Sequence, residues 1–166
     1  MKDKIQIIDN YLENKYLVDI NNFVLSNNFD WYLQGVTTDD DPKYKQFVHI
    51  FYKNHNFTSI HKELVYPILN KINPLSIFRI KLNLLTKTEK IIEHPFHTDH
   101  LSENLISSIL YLNTNNGYTK FKNSKKNIYS KSNRLVTFKS NQLHHGTTCT
   151  DENFRLVLNI IYLKNI

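Results

Sequence analysis

Scarce residue types and missing segments limit what this chain can be. Cys149 is the only cysteine in 166 residues, which excludes an intramolecular disulfide and a cysteine-rich structural zinc site. Only three glycines interrupt the chain, and it contains no internal repeat or low-complexity linker. No run approaches the roughly 18 apolar residues that a membrane-spanning helix needs. These absences favour one water-soluble domain that spans residues 1–166 and has no membrane partner.

The N-terminal residues also lack the long apolar core of a secretory signal, so we expect a cytoplasmic protein. Hydrophobic residues make up 40% of the chain and aromatic residues 13%, which is enough to fill a core. The net charge of +6 could indicate an anionic partner. Because the chain is rich in both Lys and Asn, as AT-rich coding produces, we interpret most of this charge as a basic surface. The densest basic stretch, residues 120–134, predicts a solvated loop or hairpin that could steer an anionic substrate.

The first half of the chain predicts a short strand and two helices. The strand is "IQII", and a helix follows from about residue 12, with Asp9 or Asn10 able to cap it. A second helix is predicted from about Ser59. Pro67, inside this helix, indicates a kink or an early end. The apolar positions of this second helix are Ile60, Leu64, Ile68 and Leu69.

From about residue 75 the hydrophobic pattern changes to a period of two. In "IFRIKLNLL" apolar residues alternate with Arg79, Lys81 and Asn83, so the predicted strand has one apolar and one polar face. Further strand-like segments, separated by turn signals, are "LISSILYLN", "GYTKF", "RLVTF" and "RLVLNIIYL". Helices followed by many short strands predict an α+β, mainly β fold whose sheets form a jelly-roll sandwich or barrel.

The stretch "EHPFHTDH", residues 93–100, holds three histidines and two carboxylates in eight positions. His97 and Asp99 are two residues apart, so on an extended segment both side chains project to the same face and can chelate one ion. A histidine that precedes a turn follows much later in "LHHGTTCTDENFR", and Arg155 ends this segment at the start of the last strand. Two histidines and one carboxylate leave coordination positions open, as in the facial triad of non-haem Fe(II) oxygenases.

A catalytic zinc ion with two histidines and one aspartate remains chemically possible at these positions. Zinc would leave Arg155 without a role. A 2-oxoglutarate co-substrate gives the arginine one, because a guanidinium can bind its distal carboxylate through two parallel hydrogen bonds. The residues therefore favour an oxygenase site over a zinc site.

The order "HTD" and then "LHHGTTCTDENFR" resembles the Fe(II)/2-oxoglutarate-dependent dioxygenases, in particular the prolyl-4-hydroxylase-like branch. Three further stretches are similar to that branch: "SSILYLNTNNGYTKF", "RLVTFKSNQLHHG" and the N-terminal "IQIIDNYLENKYLVDINNFVLSNNFDWY". The resemblance covers most of the chain, and residues 38–60 are its least supported part. It implies a double-stranded β-helix (jelly roll, cupin-like) backed by N-terminal helices, and a requirement for Fe(II), 2-oxoglutarate and O2.

The resemblance also implies the roles of individual residues. His97 and Asp99 match the proximal iron ligands, and Arg155 matches the arginine that pairs with the distal carboxylate of 2-oxoglutarate. The distal ligand in this branch is usually followed by one variable residue and then glycine, which selects His144 over His145. Strand alternation supports a choice between them, because two neighbouring residues of a strand point to opposite faces.

Two further positions are candidates for co-substrate binding. Tyr111 matches a tyrosine that can hydrogen-bond 2-oxoglutarate, although a purely structural role in the core explains it nearly as well. Asn83 stands where related enzymes often have a tyrosine near the same carboxylate, so its role stays open. We expect His94 and His100 to lie outside the ligand set. The histidines that we assign to the surface or the core are His49, His55 and His61.

By resemblance, the expected activity is hydroxylation of an unactivated C–H bond on a peptidyl (prolyl-type) or amino-acid substrate, with release of succinate and CO2. A nucleic-acid demethylase of the same superfamily is the alternative enzyme, supported by the basic stretch 120–134 and opposed by the lack of an evident base-flipping motif. A non-catalytic jelly-roll binding module is the third possibility. It would be expected to have lost one of the four matched residues, and the chain retains them all. The sequence contains no coiled-coil heptad repeat, so it does not indicate the oligomeric state.

Overall fold

The computed structural model describes residues 5–36 and 44–165. The helices are α1 (Asn14–Val24) and α2 (Tyr66–Ile72), and a 3₁₀ turn at Lys62–Val65 directly precedes α2. The strands are β1 (Gln6–Ile8), β2 (Tyr32–Gly35), β3 (Lys45–Lys53), β4 (Asn56–Phe57), β5 (Pro74–Thr86), β6 (Leu105–Tyr111), β7 (Tyr118–Phe121), β8 (Asn127–Tyr129), β9 (Arg134–Lys139), β10 (His144–Gly146) and β11 (Phe154–Lys164).

The strands form a large and a small antiparallel sheet. The order in the large sheet is β1-β9-β6-β11-β5-β3-β2, with β4 paired to β3, and the small sheet has the order β10-β7-β8. The two longest strands, β5 and β11, pair in the middle of the large sheet over most of their length. The mainly β architecture predicted from the period-two pattern is therefore confirmed.

The large sheet separates two apolar clusters. On one face, Leu17 and Ile20 of α1 and Ile68 of α2 are fully or almost fully buried against Leu158 and other apolar residues of the sheet. On the opposite face, Phe121 and further apolar residues of the small sheet pack against β6, β9 and β11. The layers are thus helices, large sheet and small sheet, and the helices back the large sheet as predicted.

The polar face of β5 does not lie in solvent. Ile80 and Leu82 are fully buried on the helical side of the sheet, whereas Arg79, Lys81 and Asn83 line a cavity between the sheets. The alternation predicted from the sequence is correct, and its polar half forms the lining of the interior site. Phe78 differs from the pattern, since this side chain remains 43% exposed.

The capping prediction for the first helix is wrong. α1 begins at Asn14 with Glu13 at the N-cap position and no side-chain cap. The Asp9 carboxylate instead accepts hydrogen bonds from Arg134 and Lys131, and Asn10 adopts a left-handed conformation with φ 54°.

The second helix begins later than Ser59. Ile60 is 82% exposed and precedes the 3₁₀ turn, so it does not belong to the buried stripe of the helix. Pro67 neither kinks nor ends α2, because it occupies the first turn, where the missing N–H has no intrahelical partner to lose.

The basic stretch at 120–134 includes the end of β7, all of β8 and the start of β9, and β7 pairs with β8 as a hairpin. The hairpin alternative of the prediction is therefore confirmed. Within the ranges that the structure describes, no helix is long and apolar enough to cross a membrane.

Candidate metal centre

Backbone pairing brings the separated histidine and aspartate motifs together. His97 and His144 exchange both backbone hydrogen bonds, with N–O distances of 2.9 and 3.0 Å. The amide of Asp99 donates to the carbonyl of Ser140 at 3.0 Å, in the turn that leads into β10. The segment that carries the His-x-Asp motif is thus held as an extra strand against the segment that carries the distal histidine.

The side chains of His97, Asp99 and His144 offer ligand atoms that all lie within 4.8 Å of one another. Nε2 of His144 lies 3.8 Å from Oδ2 of Asp99. Nδ1 of His97 is 3.2 Å from the Pro95 carbonyl, and Nδ1 of His144 is 2.9 Å from the Gln142 carbonyl. When each Nδ1–H donates to its carbonyl, each Nε2 keeps a free lone pair for a metal ion.

Burial lowers the pKa of His97, and the neighbouring charge of His144 lowers it further, so this imidazole is held in its neutral form. Burial raises the pKa of Asp99, but the electrostatic influence of His144 and of the Arg79 guanidinium, together with a hydrogen bond from Ser107, outweighs it and lowers the pKa overall. A neutral imidazole and an ionised carboxylate are the protonation states that metal binding requires.

Two residues that the sequence did not assign to the site orient the Asp99 carboxylate. Nη2 of Arg79 lies 3.4 Å from Oδ1 of Asp99, and Nδ2 of Asn159 donates to Oδ2 at 3.1 Å. Arg79 Nη2 also lies 3.4 Å from Oδ1 of Asn159. Since the Asp99 side chain is only 5% exposed, these contacts restrict its rotation. The available signal was the alternation of β5 and β11, which puts Arg79 and Asn159 on the cavity face.

Arg155 is a buried cation, with 3% of its surface exposed. Nε donates to the hydroxyl of Ser130 at 2.7 Å, Nη2 donates to that of Thr119 at 3.3 Å, and the guanidinium lies 5.3 Å from the ring centre of Tyr111. Burial lowers the pKa of Arg155. Across residues 5–36 and 44–165, no carboxylate lies within ion-pair distance of it. A buried guanidinium that has only hydroxyl partners favours an anionic ligand.

Two glycines leave room around this arginine. A Cβ added at Gly117 would lie 2.6 Å from Cδ of Arg155 and 2.8 Å from the Thr148 carbonyl oxygen, closer than side-chain atoms normally approach. A Cβ at Gly146 would lie 3.4 Å from Nη1 of Arg155. Glycine at 117 therefore permits the path of the arginine side chain, and glycine at 146 keeps space beside the guanidinium.

A cavity of about 110 Å³ connects the two parts of the site. It is lined by all three residues of the metal cluster, by Arg155 and by Asn83. Nδ2 of Asn83 donates to the Val157 carbonyl at 3.3 Å, while its buried Oδ1 has no hydrogen-bond partner among the described residues.

Tyr111 is fully buried, and its ring contacts the Arg155 guanidinium. Its hydroxyl donates to Thr119 at 2.7 Å. Thr119 lines the cavity, and Phe121 packs between the sheets. Tyr111 therefore supports the arginine and the threonine beside it.

The other histidines lie outside the metal cluster. His94 is buried and lines the cavity, whereas His100 accepts a hydrogen bond from the amide of Ser102. His145 packs edge-on against Phe96, with ring centres 4.6 Å apart. Of the remaining histidines, His49 is buried, His61 is half-buried and His55 is exposed.

No family model matches the chain, and no curated protein matches its sequence. Solved structures do match its fold. The non-haem α-ketoglutarate-dependent epimerase SnoN from nogalamycin biosynthesis superposes with a TM-score of 0.70 at 8% identity, covering 98% of this chain and 79% of that one. A prolyl hydroxylase from Trichoplax adhaerens, in complex with a hypoxia-inducible-factor peptide fragment, gives 0.68 at 12% identity, covering 98% and 84%.

A prolyl-4-hydroxylase from Pseudomonas putida gives a TM-score of 0.62 at 12% identity, covering 99% of this chain and 95% of that one. A further neighbour is an oxidoreductase of the 2-oxoglutarate–Fe(II) oxygenase family from Burkholderia pseudomallei, with 0.68 at 13% identity, covering 97% and 85%. The predicted jelly roll is confirmed by these matches. The chain therefore has the fold of the Fe(II)/2-oxoglutarate-dependent oxygenases, and its described residues include a His-Asp-His cluster that could hold a metal ion.

Proposed function

We propose that this protein is an Fe(II)- and 2-oxoglutarate-dependent oxygenase that hydroxylates an unactivated C–H bond of a peptidyl or amino-acid substrate. One observation carries the proposal. A single cavity is lined both by a converging set of two histidines and one carboxylate and by a buried arginine that has no acidic partner among the described residues. A metal ion would bind the histidine and carboxylate ligands, and an anionic co-substrate would pair with the arginine.

The donor set fits Fe(II). His97, Asp99 and His144 would hold the ion, because both imidazoles present Nε2 and the carboxylate is ionised. Three ligands leave further coordination positions for a co-substrate and O2. Arg79 and Asn159 would keep the carboxylate in one orientation while the ion is bound.

Arg155 would bind the distal carboxylate of 2-oxoglutarate. Two of its nitrogens already donate to Ser130 and Thr119, and these bonds hold the guanidinium in place before the ligand arrives. Tyr111 supports the guanidinium from one side through its ring and shares the Thr119 hydroxyl. Asn83 adds a free Oδ1 to the cavity, so we assign it to the co-substrate region.

Bound Fe(II) and 2-oxoglutarate supply the oxidation: O2 is consumed, 2-oxoglutarate is converted to succinate and CO2, and one oxygen atom enters the substrate as a hydroxyl group. The chain's own residues position the ligands and limit the access of water. Leu85, Ile109 and Val157 line the same cavity as the polar groups and exclude water from part of it.

The structural neighbours support the oxygenase class more strongly than they support hydroxylation in particular. The same fold serves an epimerase, a carbocyclase and prolyl hydroxylases. Hydroxylation of a peptide is supported by the prolyl hydroxylase that was solved with a bound peptide fragment. Zinc remains the alternative ion for the ligand set alone, but zinc chemistry would leave Arg155 unexplained.

The proposal is tested by anaerobic titration of the purified protein with Fe(II) and 2-oxoglutarate, observed in the visible spectrum. We expect a weak charge-transfer band that requires both additions and is absent from Asp99→Ala. If the folded wild-type protein shows no band when both are present, the assignment of ion and co-substrate is wrong.

A further inference from the structure

Two more cavities continue outward from the metal cavity. The second, of about 280 Å³, shares Arg79 and Lys81 with the metal cavity. The third, of about 530 Å³, shares Gln34, Ile50 and Lys53 with the second. The shared lining shows that the second and third cavities adjoin each other, and together we call them the trench.

The trench is long enough for several residues of an extended chain. Its lining comes from β5, β3 and β2, and the metal cavity reaches one strand further to β11. Asn159 of β11 pairs with Lys81 of β5, which pairs with Ile50 of β3, so these residues mark one line across the sheet. The three strands under the trench span about 9 Å, the length of about three extended residues, and the metal cavity adds a fourth strand and about 5 Å.

The inner end of the trench, beside the metal cavity, is basic. Lys53, His55 and Arg79 line it, and none of the described residues that line the second cavity is acidic. The Arg79 side chain is 29% exposed, while its Nε is buried and has no hydrogen-bond partner among the described residues. Asn54 and His55 form the two-residue turn between β3 and β4, and their φ values of 52° and 64° are those that a type I′ hairpin turn requires.

The outer end of the trench is apolar. Tyr32, Leu33 and Ile60 line the third cavity and are 60%, 62% and 82% exposed. Asp30 is the one acidic residue among the described lining of this end. Its backbone carbonyl oxygen lies 2.8 Å from Nδ1 of His49. Large apolar side chains at this exposure, next to a basic cavity, are typical of a surface that binds another molecule.

We propose that the trench binds an acidic, extended segment of a polypeptide substrate. A carboxylate side chain of that segment pairs with Lys53, His55 and Arg79, and an apolar side chain further along contacts Tyr32, which shares the cavity face of the sheet with Val48 and Asn83. The residue that reacts lies at the metal end. The identity of the reacting residue rests on the oxygenase function proposed above, whereas peptide binding by the trench does not.

The test is a fluorescence-anisotropy measurement with an array of labelled peptides, each made in an acidic form with Asp or Glu and in a matched amide form with Asn or Gln. Wild-type protein is compared with Lys53→Gln/His55→Gln. The control is Lys15→Gln/Lys125→Gln, which removes two exposed basic groups outside the trench. Each protein is measured metal-free and again with Mn(II) and 2-oxoglutarate.

We expect the wild-type protein to bind acidic peptides roughly tenfold more tightly than their amide forms, as one charge-assisted pair provides. The trench variant loses this preference and the control keeps it. The inference is overturned if acidic and amide forms bind equally in both conditions, or if the control loses the preference as well. It is also overturned if a single-stranded oligonucleotide binds more tightly than any acidic peptide and depends on the same two residues.

Failure of this inference can be distinguished from failure of the oxygenase assignment. The preference for acidic peptides is measured without iron, and the charge-transfer band is measured without a peptide. A protein that forms the band but shows no acidic preference retains the proposed chemistry and loses the trench assignment. The reverse result retains the trench and contradicts the oxygenase.

Discussion

Replacement of Arg155 by methionine separates binding of the co-substrate from stability of the fold. Methionine has a similar length but can form none of the charge-assisted hydrogen bonds of a guanidinium. The loss of such bonds to a carboxylate costs about 2–4 kcal/mol, which weakens 2-oxoglutarate binding about 30- to 1000-fold. The free energy of unfolding of the ligand-free protein should change much less.

In the ligand-free protein Arg155 is a buried cation with two hydroxyl partners, Ser130 and Thr119. Arg155→Met removes both hydrogen bonds, but it also removes the cost of keeping a charge out of water. We therefore expect the free energy of unfolding without ligand to fall by no more than about 1 kcal/mol. Replacement of an arginine that serves only to stabilise the fold would lower the free energy of unfolding by more than this.

The assay is chemical denaturation in the presence of Mn(II), with and without 2-oxoglutarate at about 100 times the wild-type Kd. The wild-type protein should gain about 2.7 kcal/mol from the ligand, and Arg155→Met should gain less than about 0.9 kcal/mol. Arg134→Met is the matched control, because Arg134 pairs with Asp9 on the surface. If Arg155→Met keeps the full ligand-dependent gain, this arginine does not bind the co-substrate.

Four further substitutions test other parts of the site. Asp99→Ala should abolish iron-dependent turnover of 2-oxoglutarate while circular dichroism shows an intact fold, and turnover at the wild-type rate would contradict the ligand assignment. His144→Ala should lose Fe(II) in equilibrium dialysis and His145→Ala should retain it, whereas the opposite result would exchange their roles. Gly117→Ala should lower the free energy of unfolding by about 1–3 kcal/mol and weaken 2-oxoglutarate binding, because the new methyl group displaces Arg155; unchanged binding in calorimetry would argue against this contact.

The strands that build the site were predictable because their alternation is regular. On β5 the apolar residues Ile80 and Leu82 face the helices, and the polar Arg79 and Asn83 face the cavity, as a period of two requires. The choice of His144 over His145 agrees with the same rule, since only His144 belongs to the metal cluster of the described residues.

Contacts between distant strands were less accessible from the sequence. Arg79 and Asn159 meet at Asp99 only because β5 and β11 pair in one particular register, which the sequence does not state. The Asp9 and Asn10 capping prediction was wrong for a related reason. The Asp9 carboxylate finds Arg134, which is distant in sequence and adjacent only once β1 pairs with β9.

The segment around β3 shows a different limit. The strand Lys45–Lys53 carries Val48 and Phe51, which are buried on opposite faces of the sheet. A strand that is buried on both faces lacks the alternation of apolar and polar residues, so periodicity gives little signal. The prediction that Ile60 belongs to the apolar side of the second helix was also wrong, because Ile60 is exposed at the trench and lies outside the helix.

The most direct test of the account is a crystal structure of the protein with Mn(II) and 2-oxoglutarate, with the ion located by its anomalous scattering. We expect the ion between His97, Asp99 and His144, the keto acid end of 2-oxoglutarate on the ion, and its distal carboxylate on Arg155. An ion at another set of residues, or a co-substrate that does not contact Arg155, would contradict the central claim.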